Sequence, residues 1–150
     1  MTQPDKKVMY IMVCAAGPAA DAGRLVDIAS HNGWDCHVLT TPAAADFLDT
    51  AALEHQTGHP VRTTHRAPGE PRSNRPRADV VVIAPATYNT VNKLAAGISD
   101  NYALDIVNEC LGAGVPTVIL PFVNTALAAR TPYQRALTAL RDEGIHIIPN

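Results

Sequence analysis

Aromatic residues make up only 5% of the chain and charged residues 17%, and the 12 basic and 14 acidic side chains leave a net charge of −2. So weak a field excludes a globally basic surface for nucleic acid or for an acidic membrane. Few aromatics also argue against a platform that stacks single-stranded bases. Cysteine is scarce. Cys14, Cys36 and Cys110 are odd in number and form no CxxC pair, so neither a disulfide framework nor a cysteine-based zinc site is indicated, and no metal is expected. Three reduced thiols suit a cytoplasmic location. Long apolar runs are missing as well: the stretch from Val8 to Ala16 is cut by Gly17-Pro18, so neither a signal peptide nor a membrane span is expected.

What is present is apolar and regularly spaced. Of the 150 residues, 47% are hydrophobic, enough to build one domain over residues 1–150 without staples. Strand and helix signals alternate along the chain. Val8 to Cys14 is a continuous apolar run of strand length, stopped by Gly17-Pro18. Asp21 to Asn32 then reads as a helix with Leu25, Ile28 and Ala29 on one face, ending at Gly33. A strand over His37 to Leu39 and a helix over Ala43 to Leu53 follow. Val80 to Ile83 is a β-branched run, helices fit Val91 to Ala96 and Tyr102 to Leu111, and Thr117 to Leu120 is a further strand. Thr131-Pro132 opens a helix that runs through Leu140, and Ile145 to Ile148 forms the last strand. Apolar strands alternating with amphipathic helices predict an α/β, Rossmann-like (flavodoxin-like) fold, a three-layer doubly wound parallel sheet. One stretch is irregular: Pro60 to Arg77 holds five of the nine arginines, at positions 62, 66, 72, 75 and 77. A loop of that length is either solvated or an arm that orders against a ligand or a neighbouring subunit.

In such a sheet, ligands bind beyond the carboxyl ends of the strands. The first turn, Ala15 to Ala19, has one glycine where a dinucleotide fingerprint has three, and the second strand ends in Thr40-Thr41 rather than an acid. Both features disfavour an NAD-type site, and the sequence contains no P-loop. A small turn opening a helix, with Thr40 or Thr41 beside it, can still hold one phosphate through backbone N–H groups and the helix dipole. The third turn carries more. Pro85-Ala86-Thr87-Tyr88-Asn89-Thr90 follows a buried strand, and Gly97-Ile98-Ser99-Asp100-Asn101 comes shortly after. Small side chains let a planar ligand approach the backbone, and Asn89 offers both a donor and an acceptor to a heterocycle edge.

These blocks, with Pro121-Phe122-Val123-Asn124, resemble the Pro-Ala-Ser-Ala-Asn-Thr, Gly-Ile-x-Asp-Asn and Pro-x-Met-Asn motifs of the homo-oligomeric flavin-containing cysteine decarboxylases. That family includes phosphopantothenoylcysteine decarboxylase and the lantibiotic peptide decarboxylases. The resemblance implies FMN as cofactor, with FAD possible, and a homotrimer or a multiple of trimers with the flavin near a subunit interface. It implies a substrate that is a small thiol acid or a peptide C-terminus, with no nucleic acid or membrane partner. Gly17 would sit at the phosphate turn; Pro18 replaces the family's hydroxyl, which leaves Thr40 and Thr41 as phosphate ligands. Ala86, Thr87 and Asn89 would line the isoalloxazine ring, with Ser99, Asp100 and Asn101 flanking it.

The departures bear on the reaction. Catalytic members carry a histidine base shortly before the strand equivalent to Asp79–Ala84, and this chain has Pro71 and Arg72 there. His65, further upstream, could serve if the loop folds back. Asn124, which in relatives contacts the substrate carboxylate, is kept, while Val123 and Leu127-Ala128 replace the methionine and the Met-Trp pair. The chain stops at Pro149-Asn150, so the cysteine-bearing clamp of the coenzyme-A-pathway enzymes is expected to be missing. The leading expectation is an FMN-binding, decarboxylase-like enzyme with Asn124 and His65 as catalytic residues. The alternatives are a flavin-binding or flavin-storing protein without decarboxylase activity, and a flavin prenyltransferase.

Overall fold

Successive residues of the first strand go to opposite sides. Met9, Ile11 and Val13 join one buried cluster, while Val8, Tyr10 and Met12 join another. That is the period of two of a strand covered on both faces. The computed structural model describes residues 6–65, 68–69 and 75–149. Among them the chain runs β1 (Lys7–Val13), α1 (Ala22–His31), β2 (Trp34–Thr40), α2 (Thr50–Thr57), β3 (Val80–Ala86), α3 (Tyr88–Ala96), α4 (Tyr102–Gly112), β4 (Thr117–Pro121), α5 (Thr125–Ala128), α6 (Thr131–Asp142) and β5 (His146–Ile147).

The strands form one parallel sheet in the order β2-β1-β3-β4-β5. Helices α1 and α2 cover the Ile11 face through Ala22, Val26, Ala29 and Leu53. On the Met12 face lie α3, α4 and α6, contributing Val91, Leu104, Val107 and Leu140 among others. This is the predicted three-layer, doubly wound Rossmann-like architecture. Strand order reverses between β1 and β3, which puts the ligand-binding crevice of the fold at their carboxyl ends.

Several boundaries differ from the sequence reading, each for a local reason. The helix expected over Ala43 to Leu53 is two elements. Thr41 caps a 3-10 turn over Pro42–Phe47, Leu48 is extended, and Asp49 caps α2 by accepting from the Ala52 N–H at 3.0 Å. In α1 the buried face is Ala22, Val26 and Ala29, while Ile28 is 62% exposed, so the apolar stripe lies one position away from the one expected. Helix α3 begins at Tyr88 rather than Val91 because Thr87 caps it, and α5 is an extra single turn started by Asn124.

Of the arginine-rich stretch, Arg66 and Arg72 fall outside the described residues. The described parts hold to the chain's own surface. Arg62 makes a parallel bridge to Leu39, donating its N–H to Val38 and accepting from Thr40. Arg75 donates to the Tyr102 hydroxyl and lies 5.3 Å from the Tyr10 ring centre.

Candidate functional site

Beyond the carboxyl ends of β1, β2 and β3 the structure opens a cleft of about 440 Å³. Its walls come from the residues that follow each strand: Ala15 after β1, Thr41 to Ala43 after β2, Thr87 and Asn89 after β3, with Lys93, Asp100 and Asn101 closing one side. The strand ends are tied together beneath it. The Cys14 N–H donates to the Pro85 carbonyl at 3.1 Å, the Thr41 N–H to Val13 at 3.2 Å, and the Phe122 N–H to Ala86 at 2.9 Å.

Three cleft residues share one local role. The Thr41 hydroxyl oxygen accepts from the Ala44 N–H at 3.2 Å and the Thr87 hydroxyl oxygen from the Thr90 N–H at 3.2 Å, while the Asn101 carbonyl oxygen accepts from the Leu104 N–H at 2.9 Å. Each is a helix N-cap. A cap spends one lone pair on the helix it starts, and each side chain keeps its donor for a ligand: a hydroxyl proton from each threonine and the amide NH₂ of Asn101. The α3 and α4 N-termini add the positive ends of their dipoles. Asn89, exposed on the first turn of α3, presents its amide to the same space. The cleft therefore favours a ligand rich in carbonyl and phosphate oxygens. Ala15, Pro42 and Ala43 leave room for a flat ring against the backbone.

Among the described residues that line the cleft, the one full positive charge is matched. Lys93 contacts both carboxylate oxygens of Asp100, at 2.7 and 3.0 Å. Lys93 was not anticipated, although it lies four residues after Asn89 and hence on the same helix face. Thr90, also in the cleft wall, accepts from the Cys14 thiol at 3.3 Å. Burial pushes the Cys14 thiol above its ordinary range, which keeps it protonated.

The remaining anticipated residues lie apart from the cleft wall. Thr40 is fully buried, its hydroxyl paired with that of Thr63 at 2.8 Å. Ala86 is fully buried at the end of β3. Gly17 opens a 3-10 turn, and a Cβ there would meet only the Phe122 ring, at 3.8 Å, so packing does not require glycine. Ser99 is exposed and donates to the Asp105 carboxylate, whose other oxygen meets His65 Nε2. His65 also sets its ring edge against Tyr102, with centroids 5.2 Å apart, so it packs on the first turns of α4. Asn124 is exposed at the start of α5, its side-chain oxygen accepting from the Leu127 N–H at 2.9 Å. His65 and Asn124 thus stand on different elements.

A parallel sheet in this order, with a small-walled cleft at the reversal, defines a flavodoxin-like α/β protein, a class whose ligands bind at that reversal. Residues 2–150 match the model of the family described as Flavoprotein, and the chain belongs to that family. Over 71 residues, 47% of this chain, it is 41% identical to a cysteine/cysteine sulfinic acid decarboxylase from an unknown prokaryotic organism, covering 19% of that protein. Over 148 residues, 95% of the chain, it is 26% identical to the coenzyme A biosynthesis bifunctional protein CoaBC of Thermococcus kodakarensis, covering 36% of it. The chain thus spans about a fifth to a third of these curated relatives. Among solved structures, the FMN-dependent cysteine decarboxylase TvaF from thioviridamide biosynthesis superposes with a TM-score of 0.83 at 28% identity, over 96% of this chain and 90% of that one.

Proposed function

We propose that this chain is an FMN-dependent enzyme that oxidatively decarboxylates a cysteine-type thiol acid, either a small molecule or a peptide C-terminus. The observation that carries the proposal is the cleft at the strand reversal, whose caps Thr41, Thr87 and Asn101 leave donors facing one space. The residues fit the cofactor. Flat walls at Ala15, Pro42 and Ala43 suit a ring, Asn89 suits a ring edge that both gives and accepts hydrogen bonds, and the α3 and α4 N-termini suit a phosphate or ring carbonyls. A flavin held there supplies a two-electron acceptor, so the substrate leaves as carbon dioxide and an enethiol, two hydrogens poorer.

The chain's own part is binding and positioning. Asn124 is the proposed anchor for the substrate carboxylate through its amide NH₂, since its oxygen already caps α5. His65 is the proposed base. Asp105 accepts from Ser99 and also meets His65, which fixes the imidazole against α4. The FMN-dependent cysteine decarboxylase TvaF and the cysteine/cysteine sulfinic acid decarboxylase support the substrate class. A homotrimer in the cytoplasm completes the proposal. Phe122 is 49% exposed and Ile98 44% exposed near the strand ends, which suits coverage by a neighbouring copy; light scattering that finds a flavin-loaded monomer would overturn the trimer.

The reaction is tested by mass spectrometry of cysteine-terminated peptides and phosphopantothenoylcysteine incubated with the FMN-loaded protein. Loss of carbon dioxide plus two hydrogens is the expected result. Unchanged substrates with flavin tightly bound would favour a second reading, flavin binding without decarboxylation, which the separate elements carrying His65 and Asn124 already suggest.

A further inference from the structure

On the edge strand β2, two imidazoles share one carboxylate. We propose that Asp35, His37 and His59 form an acid-sensitive latch, which holds the segment from His59 to His65 against the sheet at neutral pH and releases it on acidification.

The local structure explains why the three meet. Asp35 and His37 are two residues apart on β2 and so project to the same face. His59 arrives just after α2. Gly58 takes a left-handed conformation with φ of 74°, ending the helix as only glycine does cheaply. The Thr57 hydroxyl then accepts from the His59 N–H and donates to the His59 carbonyl, both at 3.1 Å. The His59 ring lies flat on that of His37, with centroids 3.9 Å apart and planes 13° from parallel. Both Nε2 atoms face the same carboxylate: His59 is 2.7 Å from one Asp35 oxygen, and His37 is 3.4 Å from the other.

One carboxylate can balance one imidazolium. A second proton would put like charges on two rings in van der Waals contact. Among the described residues, the other groups facing His37 add no negative charge. Tyr10 of β1 keeps its proton because burial pushes its hydroxyl up, and Arg75, ahead of β3, adds positive charge. His37 is 8% exposed, so water cannot solvate the new charge. Burial first, then the His59 charge, hold the His37 imidazole below its ordinary range, against the pull of Asp35. The unfolded chain therefore takes up this proton more readily than the native one. The stability is whole above the unfolded-state value and is lost as pH falls below it, towards the depressed native one. The cheapest relief is for His59 to swing out, because its side chain is already 32% exposed while His37 is fixed within a strand.

What His59 releases is the segment behind it. The Val61 N–H donates to the Glu54 carboxylate at 3.0 Å, the Arg62 N–H to Val38 at 3.2 Å, and the Thr40 N–H to the Arg62 carbonyl at 3.0 Å. These contacts join α2 to the last residues of β2, beside Thr41 in the cleft wall, and the chain runs on to His65 against Asp105. Freed of its anchor at His59, the segment slackens, so the latch couples acid to the position of His65.

The test is amide hydrogen exchange by NMR on the full-length protein, from about pH 7.5 to about pH 5, corrected for intrinsic exchange rates. The Arg62 and Thr40 amides should lose protection at least about tenfold on acidification, with a midpoint matching the His37 imidazole titration, while the Ile11 amide of β1 keeps its own. In His37→Phe, whose ring stacks on His59 without taking a proton, protection should persist in acid. Unchanged protection of the wild type in acid overturns the proposal. So does a loss shared equally by Ile11, or the same loss in folded His37→Phe. Should circular dichroism show that His37→Phe does not fold, the wild-type midpoint decides: a midpoint more than about one pH unit from the His37 titration overturns the latch.

Discussion

The two ends of the sheet solve opposite problems with polar side chains. At the carboxyl end, Thr41, Thr87 and Asn101 give their acceptors to helix starts and keep donors for the cleft. On β2, toward the other end, the His37 and His59 rings stack on each other and both Nε2 atoms face the Asp35 carboxylate, His59 at 2.7 Å and His37 at 3.4 Å. One end leaves polar atoms facing an open cleft, and the other turns them on one another. The difference teaches that side-chain type matters less than which atom the backbone has already claimed. A threonine at a cap has one lone pair already used and keeps its hydroxyl proton for a ligand.

The comparison can be broken at the central strand of the sheet. Ile83 is fully buried in the central strand β3, registered between Met12 and Ile119 of its neighbours. Ile83→Ala should cost about 2–5 kcal/mol in urea unfolding through the cavity it leaves; a cost below about 1 kcal/mol would mean β3 is not the centre of the core. Next in size is a change confined to one end. Asn89→Ala should weaken FMN binding by about 1–3 kcal/mol through an unpaired ring edge, leaving thermal stability close to wild type because Asn89 is exposed. Fluorescence titration with FMN decides, and an unchanged affinity would put the ring elsewhere. Thr87→Ala should cost about 1 kcal/mol of stability as a lost cap, while Thr87→Ser keeps it; equal stability of the two variants in thermal denaturation would remove the capping argument.

The smallest effect concerns pH. The Ser99 hydroxyl first, then His65, hold the Asp105 carboxyl below its ordinary range. Asp105 therefore stabilises the fold above its unfolded-state pKa, and this contribution disappears as pH falls through the depressed native value. The carboxylate is about a third exposed, at 32%, so solvent screening keeps the effect slight. Ser99→Ala should move the Asp105 titration, followed by carboxyl NMR, upward. No movement would show that the hydroxyl is not the main cause.

Much of this was legible in the sequence. Val8 to Cys14 and Val80 to Ile83 read as buried strands because both of their faces are apolar. Thr87, Asn89 and Asp100-Asn101 reach the cleft because they follow a strand or open a helix. What the sequence hid depends on tertiary placement. Thr40 and Thr41 are adjacent hydroxyls, yet strand alternation turns Thr40 inward to Thr63 while Thr41 faces the cleft. The break at Leu48 follows from Asp49 starting a new helix, which helical periodicity alone does not reveal. His37 and His59 are far apart in sequence and share no motif spacing, so only the return of the chain after Gly58 brings them together.

The central claim is that the donor-lined cleft holds FMN. It is tested most directly by purifying the protein, recording its visible spectrum, and measuring equilibrium binding of FMN to wild type and to Asn89→Ala. The account predicts a yellow protein carrying one flavin per chain, released on denaturation, with clearly weaker binding in the variant. A colourless protein that stays colourless after incubation with FMN and FAD would contradict it.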